Sequence, residues 1–170
     1  MESEIFDGFA KYYDLLYQGK DYHREASFID QMIRQYSPGS ESILDAGCGT
    51  GVHDWLLAQM GYKVLGVDQS SKMISIAEKR EAEFYGIDVI PRFEVADLVN
   101  FVSNEKQDVV VSLFDVVSYL RDYESFNAFA SSCAHALKPG GMLFFDCWYG
   151  PAVYSQKPET RIRRHSNDQV

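Results

Sequence analysis

The 170-residue sequence predicts an α/β fold, a doubly wound and mostly parallel sheet with helices on both faces. Short apolar runs alternate along the chain with segments whose apolar residues recur at helical spacing. One run, Val109-Val110-Val111, lacks polar alternation, as in a parallel strand buried on both faces. Polar and glycine residues gather where the runs end, and open α/β sheets bind ligands beyond those carboxyl ends.

Phe28, Ile29, Met32, Ile33 and Tyr36 share one face of a helix from Asp21 to Tyr36. Asp21 is its N-cap, and Ser37-Pro38-Gly39-Ser40 ends it. Ser42 to Ala46 is the first strand. Val52, Trp55, Leu56 and Met60 mark the next helix, which Gly61 closes. Lys63 to Asp68 is the second strand. Ser70 or Ser71 then caps a helix expected to reach Tyr85, with Met73, Ile76, Ala77 and Phe84 on one face. Val89 to Ala96 is the third strand, and Pro91 suits an edge position. Phe101 and Val102 are expected in a short helix, and Asp108 to Phe114 is the fourth strand. A helix from Asp122 to Leu137 is expected to bury Phe126, Phe129, Ala130, Cys133 and Leu137. Lys138-Pro139-Gly140-Gly141 turns the chain into a fifth strand, Met142 to Cys147.

A net charge of −9 disfavours nucleic-acid partners. No apolar run approaches the ~20 residues of a membrane span, and Met1-Glu2-Ser3-Glu4 lacks the basic start of a signal peptide. Cys48, Cys133 and Cys147 form neither a CxxC pair nor an even framework, which reads as reduced thiols in a cytoplasmic protein. His23, His53, His135 and His165 lie far apart and read as surface or capping residues, so no metal is expected.

Ile43-Leu44-Asp45-Ala46-Gly47-Cys48-Gly49-Thr50-Gly51 combines a strand, a tight turn and a helix start. Glycine lets the backbone approach a ligand closely. The spacing departs from the dinucleotide fingerprint: from Gly47 the glycines stand first, third and fifth, and Val52 holds the sixth place. Asp45 puts a carboxylate where a pyrophosphate would be repelled and a cation attracted. A nicotinamide dehydrogenase is therefore disfavoured.

The pattern resembles motif I of the class I S-adenosylmethionine-dependent methyltransferases, which have a Rossmann-like fold. The resemblance implies S-adenosyl-L-methionine as cofactor, held at Asp45, Ala46, Gly47, Gly49 and Gly51. Asp68, with Gln69 beside it, closes the second strand, where a carboxylate accepts from both ribose hydroxyls; capping the following helix is the other reading. Asp97 would accept from the adenine amine and the Leu98 amide donate to a ring nitrogen, unless Asp97 simply forms a turn. Met73 stands where family members place an apolar residue against adenine, or packs in the core. The segment Phe114 to Leu120 lies, by the same resemblance, beside the methyl donor and acceptor. Phe114 is then cofactor-facing, and Asp115, Ser118 and Tyr119 acceptor-facing.

The run Phe9-Ala10-Lys11-Tyr12-Tyr13-Asp14-Leu15-Leu16-Tyr17, followed by Lys20-Asp21-Tyr22, is rich in tyrosine. It is similar to the N-terminal lid of small-molecule N-methyltransferases of the sugar-amine and glycine/sarcosine types. A tyrosine hydroxyl orients an amine and its ring contacts a sulfonium, or the rings pack the lid. Tyr13 and Tyr22 are candidate cofactor contacts, and Tyr13, Tyr17, Asp115 and Tyr119 candidate catalytic residues. The resemblance implies methyl transfer to a small molecule, preferably an amine. O-methylation of a hydroxyl or carboxylate, or a non-catalytic cofactor-binding fragment, are the alternatives.

Residues 1–40 are expected to form the lid, 41–150 the cofactor-binding domain, and 151–170 a basic tail or the start of a truncated region. Arg161-Ile162-Arg163-Arg164-His165 is the basic cluster there. The family's sheet has seven strands, and the usual terminal hairpin beside strand five is apparently lacking. Leu143-Phe144-Phe145 suits burial on both faces. Either the chain is truncated, or a partner, such as a second copy in a homodimer, covers that edge.

Overall fold

The computed structural model describes residue 10 and residues 12–156. Phe9, Lys11 and the Arg161–His165 cluster lie outside the described residues. The strands are β1 (Ser42–Ala46), β2 (Lys63–Asp68), β3 (Arg92–Val95), β4 (Gln107–Ser112) and β5 (Leu137–Phe145). The helices are α1 (Tyr22–Tyr36), α2 (Val52–Gln59), α3 (Ser71–Lys79), α4 (Tyr123–Ala136) and α5 (Gly150–Ser155). All strand pairs are parallel, in the order β3-β2-β1-β4-β5. The chain therefore leaves β1 toward β2 and later returns to β1's other side with β4. The crevice at this reversal lies beyond the carboxyl end of β1.

Alternation along β1 builds both cores. Ile43 packs with Val64, Val109 and Val111 against Ile29 and Ile33 of α1 and Leu57 of α2. Leu44 and Ala46 face the other way, with Val67 and Val110 against Phe129 and Cys133 of α4. The caps follow the sequence: Asp21 accepts from the Arg24 amide at 3.0 Å, Ser70 from Met73 at 3.2 Å and Asp122 from Ser125 at 2.7 Å. Each such cap stabilises by about 1 kcal/mol.

Several boundaries differ from expectation. β3 begins only after Pro91, whose missing N–H cannot extend the ladder. α3 stops at Lys79 and gives way to a 3₁₀ turn, Arg80–Glu83, because Arg80 turns inward to bond the glycine loop. Phe101 and Val102 are not helical; a turn at residues 98–100 precedes them. On α4, Phe126 is 38% exposed rather than buried, and Ala136 closes the buried face. Lys138-Pro139-Gly140-Gly141 is an irregularity within β5: Gln107 pairs with Leu137, but Val109 already pairs with Met142. Residues 151–155, expected in a basic tail or the start of a truncated region, lie in α5 with Pro151 in its first turn. β5 is the sheet edge, with Phe145 45% exposed, so the double-sided burial expected of Leu143-Phe144-Phe145 is not met among the described residues.

Candidate functional site

The loop from β1 to α2 is held open at the crevice by backbone geometry that glycine alone adopts freely. Gly47 has φ +99°, and a Cβ there would lie 2.6 Å from a Val116 methyl. At Gly51, φ +74°, a Cβ would meet the Ala77 side chain at 2.7 Å. The amides of Gly47 and Cys48 both donate to the Val67 carbonyl, at 2.8 and 3.0 Å. Gly49 N–H donates to one Asp68 carboxylate oxygen at 3.0 Å, and Ser70 N–H to the other at 2.8 Å. Asp68 thus ties the loop to the turn before α3, whose N-cap is Ser70, and Gln69 stands exposed beside it.

Asp97 is exposed and accepts from the Val99 amide at 3.0 Å, the geometry of a turn aspartate; Leu98 beside it is half-buried. Met73 is buried in the core. Ala46 is buried at the end of β1. Asp45 is buried as well, beneath the loop and against Asp54 of α2.

Beyond β4, Phe114 and Asp115 both adopt left-handed backbone, φ +66° and +62°. Such residues cost roughly 1–2 kcal/mol each and persist only where their surroundings hold them. Asp146 does so here, its carboxylate accepting from Phe114 N–H at 3.0 Å and Asp115 N–H at 2.7 Å. Burial, with Asp146 adding, raises the Asp115 carboxyl. The strained turn presents the Phe114 ring edge-on to Tyr17 at 4.9 Å and Tyr13 at 6.4 Å. The Lys20 ammonium lies 3.8 Å from the Phe114 ring centre and 4.7 Å from that of Tyr22. The structure therefore brings Tyr13, Tyr17 and Phe114 into one aromatic group, with Tyr22 linked to it through Lys20 and edge-on to His53, whereas Tyr119 is exposed at its rim. Burial, then neighbouring Tyr22, raises the Tyr13 phenol, and burial, then Asp14, pushes Tyr22 up to about 12. Both phenols therefore stay protonated at neutral pH.

Two polar clusters fasten this group to the glycine loop and the neighbouring helices, and the sequence pattern marks neither. Asp14 accepts from the Thr50 hydroxyl at 2.7 Å and pairs with Arg80. Arg80, 8% exposed, also donates to the Thr50 carbonyl at 3.0 Å and to Glu83 at 2.8 Å. Glu25 pairs with Lys20 and bonds His53 at 2.9 Å. That bond, with Lys20 adding, pulls the Glu25 carboxyl down to about 2. His53 is accordingly buried rather than a surface residue. A cavity of about 770 Å³ opens between α1 and the end of β5, walled by Phe28, Ile29, Met32, Leu143, Phe144 and Asp146. It adjoins the Phe114–Asp146 clamp but no glycine-loop residue lines it. Among the described residues no cluster of three His, Cys, Asp or Glu is spaced to hold a metal, and no helix is long and apolar enough to cross a membrane.

A glycine loop at the switch point, a carboxylate at the end of β2 and this strand order define a class I, Rossmann-like methyltransferase fold. The family described as "Methyltransferase domain" matches residues 43–141, and the chain belongs to it. It is 33% identical over 148 residues to the dTDP-3-amino-3,4,6-trideoxy-alpha-D-glucopyranose N,N-dimethyltransferase of Streptomyces venezuelae, covering 86% of this chain and 60% of that protein. The solved structure of DesVI from Streptomyces venezuelae superposes with a TM-score of 0.73 at 34% identity, covering 84% of this chain and 58% of that one. An amino pentose methyltransferase from Micromonospora echinaspora, solved with S-adenosylmethionine bound, gives 0.70 at 30% identity, covering 79% and 54%. The chain thus spans little more than half the length of the relatives it matches.

Proposed function

We propose that the chain binds S-adenosyl-L-methionine and transfers its methyl group to a small-molecule amine, of the nucleotide-linked amino-sugar class. The observation that carries this is the Asp68 bridge: one carboxylate at the end of β2 organises the glycine loop through Gly49 and still borders the crevice. The named activity of the Streptomyces venezuelae relative supports the acceptor class.

When bound, S-adenosylmethionine supplies a methyl group already activated on a sulfonium. Asp68 would hold its ribose hydroxyls, Asp97 and the Leu98 amide its adenine, with Met73 beneath and Gln69 at the side. Gly47, Gly49 and Gly51 leave room for its backbone contacts. Tyr13, Tyr17, Tyr22 and Phe114 exclude water and offer ring faces to positive charge. Asp115 and Tyr119 border the acceptor side. With an activated donor, orientation at attack distance supplies much of the acceleration. The attacking amine must be neutral, and its proton passes to solvent after transfer.

Residues 12–20 act as part of the lid in this reading, residues 41–150 hold the cofactor, and the open β5 edge is covered by further chain or a second copy. Free Cys48, Cys133 and Cys147 fit a cytoplasmic setting. The test is methyl transfer to matched acceptors bearing an amine or a hydroxyl. Amine methylation whose rate rises with pH through the acceptor's pKa is expected; transfer to the hydroxyl acceptor alone, or a rate flat across that pKa, overturns it.

A further inference from the structure

Asp45 and Asp54 bracket the glycine loop, one just before Gly47 and one just after Gly51, and both are buried, at 2% and 0% exposure. Asp45 Oδ1 and both carboxylate oxygens of Asp54 find no hydrogen-bond donor among the described residues. Room for the pair comes from Gly66, the strand partner of Asp45: a Cβ there would sit 2.5 Å from Asp54 Oδ1. Two bare carboxylates in such a space cannot both ionise without a large penalty, and neither can donate to the other. A single proton between them resolves both problems, giving an acid–carboxylate hydrogen bond and one net charge.

The backbone amide of Asp54 favours its charged form, but no cationic side chain faces the pair among the described residues. Asp68 at the end of β2 and Asp146 beyond β5 are the further titratable groups acting on it, both acids, and the pair in turn raises the Cys48 thiol in the loop. His53, next to Asp54 on α2, is turned to Glu25 of α1. Burial raises both carboxyls; at Asp54 the charge of Asp45 adds to the rise, whereas at Asp45 the hydrogen bond with Asp54 opposes it and Asp68 and Asp146 add.

We propose that Asp54 is a positioning residue that shares one proton with Asp45, and that the pair couples the charge of the cofactor's sulfur to a proton. When the sulfonium form docks, the shared proton leaves to solvent and the pair becomes two carboxylates. When the methyl group has gone and the sulfur is an uncharged thioether, the pair takes a proton back from solvent. The spent cofactor thereby loses an attraction that held the fresh one, which favours exchange. This rests on the cofactor reading above.

Calorimetry with S-adenosylmethionine and S-adenosylhomocysteine, in two buffers of different ionisation enthalpy and across pH, tests the coupling. The wild-type chain is expected to release a proton only with the sulfonium ligand. Its preference for that ligand should rise with pH, by at most about tenfold per pH unit, the limit for one proton. In Asp54→Asn the carboxamide still donates to Asp45 but carries no titratable proton, so the preference should become flat in pH. A wild-type preference already flat, or one unchanged in Asp54→Asn, overturns the coupling. An infrared carboxylic-acid band, assigned by isotope-labelled aspartate in the unliganded wild type at neutral pH, reports the shared proton without any variant. Its absence overturns the pair itself. Failure of both ligands to bind overturns the cofactor reading and the coupling with it, while the infrared band still decides whether the proton is shared.

Discussion

Replacing Arg80 with methionine tests whether the N-terminal segment is latched to the cofactor loop by one buried cation. Methionine keeps much of the apolar stem but removes every donor, leaving the Thr50 carbonyl, Asp14 and Glu83 without the guanidinium. The three bonds do not count equally. The Thr50 bond is buried, and a hydrogen bond from a charged group contributes about 1.5–3 kcal/mol. Glu83 is mostly exposed, so its pair adds at most about 1 kcal/mol. Asp14, 43% exposed, falls between, because water replaces part of what it loses. The expected destabilisation is about 2–4 kcal/mol, which in a domain of this size lowers Tm by about 5–15 °C. Denaturant unfolding measures it, and a double-mutant cycle with Asp14→Asn should show a coupling of about 0.5–1.5 kcal/mol. Hydrogen exchange across residues 12–20 should rise in both single variants. An Arg80→Met variant within about 0.5 kcal/mol of wild type, with no coupling to Asp14, would refute the latch.

Gly47→Ala adds a methyl 2.6 Å from Val116 and forces φ +99° on an L-residue. Cofactor affinity should fall at least tenfold, and Val116→Ala should recover only part of it, since the backbone strain remains. Asp146→Ala strips both acceptors from the left-handed Phe114–Asp115 turn and should cost about 2–3 kcal/mol in denaturant unfolding. Loss of the near-ultraviolet signal of the aromatic group would accompany it. The Glu25 carboxyl is lower in the folded chain, about 2 against an ordinary 4.5. Its contribution to stability is therefore fully present above pH 4.5 and lost as pH falls toward 2. The stability gap between wild type and Glu25→Gln should close over that range in acid titration.

Much of the frame was legible because local chemistry and tertiary demand agree there. The bounds of β1 and β2, the Asp21 cap, a serine cap at position 70 or 71, a helix opening at Asp122 and the loop glycines all follow from residues near in sequence. The polar clusters were not legible for the opposite reason. Arg80 sits in the charged run Glu78-Lys79-Arg80-Glu81, which reads as a solvated face, yet its partner Asp14 lies 66 residues away. Asp146 follows an apolar strand and gives no local sign that it clamps amides 31 and 32 residues back. Asp54 reads as a favourable acid in the first turn of α2; only the register of Asp45 with Gly66 shows that it points inward. His53 was misread for the same reason, since Glu25 comes from another helix. Asp68 reads in two ways from the sequence, ribose acceptor or helix cap, and Ser70 takes the cap while Asp68 accepts from the Ser70 and Gly49 amides.

The central claim is that this loop and Asp68 receive a sulfonium nucleoside rather than a dinucleotide. Titration calorimetry of the 170-residue chain against S-adenosylmethionine and NAD, with Asp68→Ala alongside, addresses it directly. The account predicts binding of S-adenosylmethionine alone, weakened at least tenfold in Asp68→Ala; binding of NAD without S-adenosylmethionine, or an affinity indifferent to Asp68, would contradict it.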